Sequence, residues 1–123
     1  MEIEVSNGEI VDKITILQIK KQNIKDPEKI LNIEKEYNYL KSIVLKINVT
    51  EIDYKKLFDI NNELWFVEDL IRIKEKNKVF DDEFIELARR VYFLNDSRAE
   101  LKKNINIKTK SNFVEEKQYK KYQ

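Results

Sequence analysis

A polypeptide with one glycine and one proline in 123 residues has few means of turning tightly. Glycine supplies positive backbone angles and proline a fixed φ, the two properties on which short turns depend. A β-rich fold needs such turns between its strands, so the scarcity points to long helices with few connections. The chain is therefore read as all-α: a four-helix bundle built of two antiparallel helical hairpins. A chain of this length buries enough surface to fold without a metal or a disulfide.

Two further absences narrow the chemistry. There is no cysteine, which removes disulfide frameworks, thiolate zinc sites and cysteine nucleophiles. There is no histidine, which removes the Ser-His-Asp constellation, imidazole metal sites and the usual near-neutral proton shuttle. No cofactor or metal is expected. Charged residues make up 38%, but 24 cations face 23 anions, for a net charge of +1. That balance lacks the basic excess that draws a protein to phosphates, so no nucleic-acid partner is expected. No apolar run approaches the roughly 20 residues of a membrane span. Met1-Glu2-Ile3-Glu4 lacks the basic-then-apolar shape of a signal peptide, so a cytoplasmic location is expected.

Local signals place the elements. Ile3 and Val5 alternate with acids, as in a short half-buried extended segment. Ser6-Asn7-Gly8 breaks that pattern, and Ser6 with Glu9 forms a capping-box pair, starting a first helix near Asn7 that runs to about Asn23. Asp26-Pro27-Glu28 joins a cap, a first-turn proline and a first-turn acid. The second helix then carries Ile30, Ile33, Tyr37, Leu40, Val44 and Ile47, a narrow stripe suited to one antiparallel neighbour. A third helix starts with a cap at Thr50 or Asp53 and runs to about Lys76; a fourth starts at Asp81 or Asp82 and runs to about Asn106. Residues 1–106 are thus expected to form the domain and 107–123 an irregular tail, with Tyr119 and Tyr122 set among charges.

Several polar groups fall on stripes that should be apolar. At 100° per residue, Asp12, Lys13 and Lys20 share a stripe with Ile16. Ile10, Ile14 and Leu17 cover the adjacent face and Val11 and Ile19 others, which makes the first helix apolar on several sides and central. Asn61 and Glu68 interrupt Leu57, Leu64 and Ile71, while Asn95, Arg98 and Lys102 continue the line of Phe84, Ala88 and Val91. Buried polar groups are costly unless paired. If these meet, they form a mixed-charge layer, open to two readings. One is a paired network that fixes helix register. The other is a pocket for a small anion, a carboxylate or phosphate. There Lys20, Arg98 and Lys102 would grip the ligand and Glu68 or Asp12 would orient it, with Lys13 and Asn95 beside them. Arginine is the rare cation, four against twenty lysines, so Arg98 draws notice for its planar fork as much as its charge.

Other patterns carry less. Glu9-x-x-Asp12 and Glu83-x-x-Glu86 have the spacing of helical metal ligands, but in so acidic a chain they read as first-turn acids. Trp65 at helical spacing reads as core or interface, and Arg89-Arg90 as a solvated pair or an interface arm.

Blocks across nearly the whole chain resemble a family of small bacterial and phage proteins catalogued as a domain of unknown function. They are Ser6-x-Gly8-Glu9-x-x-Asp12-Lys13-x-Thr15-Ile16-Leu17-x-Ile19-Lys20 and Asn62-x-Leu64-Trp65-x-x-Glu68-Asp69. Phe84-Ile85-x-Leu87-Ala88-Arg89-x-Val91-Tyr92, Asn95-Asp96-x-Arg98-Ala99-x-Leu101-Lys102 and Val114-Glu115-Glu116-Lys117-x-Tyr119 complete the likeness. The resemblance implies kinship and a shared fold but no reaction. The leading functional expectation is a non-catalytic interaction module, homodimeric because the first helix is apolar on more faces than one hairpin needs. The alternative is a binder or enzyme of a small anionic metabolite.

Overall fold

The structure, a computed structural model, describes residues 2–113. Its helices are α1 (Asn7–Asn23), α2 (Pro27–Val44), α3 (Glu51–Lys76) and α4 (Asp82–Lys108). Each begins where a side-chain oxygen takes an otherwise unpaired first-turn N–H. Ser6 accepts from Glu9, Asp26 from Glu28 and Lys29, Thr50 from Asp53, and Asp81 from Phe84. Ser6 and Glu9 complete only half of a capping box, because the Glu9 carboxylate reaches across to Lys102 instead.

Three local expectations need correction. Ile3 and Val5 are exposed and no strand forms among the described residues, since nothing there pairs with that segment. α2 ends at Val44 rather than beyond Ile47. The chain then tightens into i→i−3 bonds, Lys46 to Ile43 and Ile47 to Val44, and Ile47 and Val49 pack on the core cluster of Val11, Leu57 and Ile105. α4 continues to Lys108, with residues 109–112 folded back on the start of α1. Tyr119 and Tyr122 lie outside the described residues.

The packing is a four-helix bundle of unusual layering. α1–α2 and α3–α4 are antiparallel hairpins. α1 runs parallel to α3, as Asp12 meets Asn61 and Ile19 and Glu68 line one cavity. It runs antiparallel to α4, as Asp12 meets Arg98 and Gly8 meets Asn106. α1 touches all three other helices, whereas α2 touches α1 alone. The order is therefore α2, then α1, then α3 and α4 side by side. This explains why α1 is apolar on several sides: Val11, Ile14, Leu17 and Ile19 are all buried, against different neighbours. It also explains the narrow stripe of α2, of which only Ile33 is fully buried.

α1 is tied to its neighbours by polar contacts as well. Lys13 pairs with Glu36 at 3.1 Å, and Lys21 sits over the Tyr37 ring at 4.5 Å. The Tyr54 hydroxyl of α3 donates to Gln18 Oε1 at 2.9 Å. Burial, and then neighbouring Tyr37, push the Tyr54 phenol from 10.0 up to about 12. A folded-state pKa above the unfolded one gives stability that is fully present below pH 10.0 and lost as the pH rises towards about 12. An ultraviolet phenolate titration should show one tyrosine ionising later than the rest, and Tyr54→Phe should remove that late step. An unchanged titration in the variant would contradict the assignment.

Candidate functional site

At the centre of the bundle sits a buried carboxylate. Asp12 is 1% exposed and accepts from Arg98 Nε at 2.9 Å and Nη2 at 2.6 Å, a bidentate pair from α1 to α4. Asn61 Nδ2 of α3 donates to Asp12 Oδ1 at 2.8 Å and to Thr15 Oγ1 at 2.9 Å. Thr15 donates in turn to the Asp12 carbonyl at 2.7 Å. Three helices thus share one charge-neutral network. Such a pair replaces lost hydration with directed bonds, and its energetic worth lies in fixing geometry more than in net attraction.

The expected site residues fall into three places. Arg98, Glu68 and Asn95 line a cavity of about 200 Å³ between the C-terminal half of α1 and the α3/α4 pair, with Asp12 bonded to Arg98 from within the bundle. Ile16, Ile19, Leu64 and Trp65 form the apolar part of its wall. Lys13 and Lys20 lie on the other side of Ile16, in a groove of about 340 Å³ between α1 and α2. Lys102 stands at the opposite end of α1, 2.6 Å from Glu9. The polar stripes do converge, but the cations do not form one clamp. Arg98 is matched by Asp12, Lys13 by Glu36 and Lys102 by Glu9.

The other sequence patterns resolve into structural pairs. Glu83 faces Lys74 at 3.6 Å, Glu86 faces Arg89 at 3.6 Å, and Arg90 bonds Glu63. At the exposed start of α4, the Phe84 N–H and then the Lys74 ammonium hold the Asp81 carboxyl below its usual value.

Sequence reasoning did not single out Asn106. Its Oδ1 accepts the Gly8 N–H at 2.6 Å, while its Nδ2 is buried with no partner among the described residues. Gly8 had been read as part of a break. With α1 starting at Asn7 as expected, it is the second residue of the helix and buried, and a Cβ there would stand 2.4 Å from the Lys102 carbonyl oxygen. The glycine is required by close approach, not by its backbone angles. The two positive-φ positions among the described residues, Lys78 and Lys110, are lysines just past helix ends. Asp53, weighed only as a cap, is buried beside Lys108 at 3.0 Å.

The first-turn N–H groups of α1 are taken up within the fold, by Ser111 Oγ, Asn106 Oδ1 and Ser6 Oγ, so that terminus is not an anion site. No helix among the described residues is long and apolar enough to cross a membrane.

No curated protein and no solved structure matches the chain. A family model does, over residues 1–122, and by that match the chain belongs to the Family of unknown function (DUF6165).

Proposed function

We propose that this chain is a non-catalytic helical interaction module that acts by self-association, the outer face of its α3/α4 layer pairing with the same face of a second copy. One observation carries the reading: among the described residues, that layer is covered by α1 on one side only. Phe66, Leu70 and Ile73 lie between roughly 120° and 180° around α3 from the α1-facing Asn61, and all three are exposed. Ile52 and Ile107 extend the same face and are exposed too. Between α3 and α4 this side carries a shallow hollow of about 510 Å³, with Ile60 and Leu101 in its wall and Lys56, Asp59, Asp96 and Glu100 beside them.

In the described residues fifteen large hydrophobics are exposed, and five of them, Ile52, Phe66, Leu70, Ile73 and Ile107, gather on this face as at a protein contact. The motive read from the sequence shifts accordingly. The extra apolar faces of α1 are used up inside the chain, and seven of the fifteen exposed hydrophobics lie on α3 and α4.

Light scattering is expected to find a dimer at micromolar concentration. Phe66→Glu with Leu70→Glu should convert it to a monomer of unchanged helix content, whereas Leu31→Glu on outlying α2 should not. A wild-type monomer at high micromolar concentration would refute the reading.

A further inference from the structure

The open cavity between α1 and the α3/α4 pair holds polar groups that the fold itself does not use. Of its lining residues, Asn61 and Arg98 are bound to Asp12. The Asn95 amide, the Glu68 carboxylate and the Trp65 indole N–H make no hydrogen bond or ion pair with any described residue. The Asn95 amide and the Trp65 indole are half-buried and the Glu68 carboxylate stands exposed at the mouth, so each can meet a ligand that enters the hollow.

Charge indicates what fills it. The Arg98 charge is offset by Asp12 behind it, so the unmatched charge of the lining is the negative one on Glu68. Lys20 lies across Ile16 in the adjoining groove. A bound anion would face Glu68 and find Arg98 engaged. We infer that the cavity binds a small organic cation, a primary amine or amidine on a compact apolar body. Its ammonium or amidinium pairs with Glu68 and donates to the Asn95 amide oxygen. Its body rests on Ile16, Ile19 and Leu64, and the face of Trp65 adds attraction for the positive end. At roughly 30 Å³ per water, about 200 Å³ displaces six or seven waters, which sets the ligand near the size of benzylamine. The cavity lies on the α1 side of α3 and α4, away from the proposed self-association face, so each proposal can fail without the other.

The test is titration calorimetry of the full chain with benzylamine, benzamidine, benzyl alcohol and benzoate at fixed ionic strength, with Trp65 fluorescence as a second readout. The two cations are expected to bind and perturb Trp65, with the alcohol and benzoate about tenfold weaker or worse. Glu68→Gln, an exposed and isosteric change, should weaken benzylamine by about tenfold without altering helix content. Binding of neither cation, unchanged affinity in Glu68→Gln, or benzoate binding as well as benzylamine would each overturn the inference. The last result would assign the cavity to anions.

Discussion

Gly8→Ala is expected to cost about 2–3 kcal/mol of folding stability and to lower the thermal midpoint by roughly 10 °C. The new Cβ would stand 2.4 Å from the Lys102 carbonyl oxygen and 3.0 Å from Asn106 Oδ1. Neither can yield cheaply. The first is backbone within α4, and the second is held by its 2.6 Å bond to the Gly8 N–H. Alanine is the better helix former by about 1 kcal/mol in a helix interior, but this gain is smaller at a first turn than the clash it brings. To relieve the clash α1 must lift from α4, stretching the Glu9–Lys102 pair and the bond from the Asn7 N–H to Ser111. Urea unfolding followed by circular dichroism measures the change. A neutral or stabilised variant would show that the two helices have room to spare, and the contact argument would fall.

Removing the arginine from the central network should cost about as much again. Arg98→Ala leaves the Asp12 carboxylate, 1% exposed, with Asn61 as its remaining side-chain donor. A buried charge stripped of its partner typically costs 3–5 kcal/mol. The lower end, about 3 kcal/mol, is expected here because the Arg98 side chain is 29% exposed and water can follow its removal. The cause is separable from lost packing by a second change. Asp12→Asn removes the charge but keeps an oxygen to accept from Asn61. Asp12→Asn with Arg98→Ala should therefore be more stable than Arg98→Ala alone, by about 1–2 kcal/mol. If the double variant is no more stable than the single one, the uncompensated charge is not what destabilises it.

The helix starts were legible because capping is local. Ser6, Asp26, Thr50 and Asp81 each sit within three residues of the N–H they accept, so sequence spacing contains the whole interaction. The central place of α1 was legible from its all-round apolarity. Burial of particular polar residues was less so. Asn61 and Glu68 share one stripe of α3, yet Asn61 is buried and Glu68 exposed at the cavity mouth. The helical wheel gives direction, not how far along the seam a neighbour covers it. Lys13 and Lys20 were placed with Arg98 for the same reason: Ile16 stands between them, and a wheel has no walls. Asn106 and Gly8 escaped because their meaning depends on each other, across 98 positions of chain.

The central position of α1 has a consequence for the order in which the molecule can be completed. The bonds that close the core join residues 49, 86 and 98 positions apart. The helix made first during synthesis is therefore the one whose partners arrive last. Until α4 emerges, Asp12 has no guanidinium and Gly8 no carboxamide, and the nascent chain holds a hairpin with one side uncovered. Such long-range closure slows folding relative to bundles of neighbouring helices and leaves apolar surface open to capture while the remainder is made.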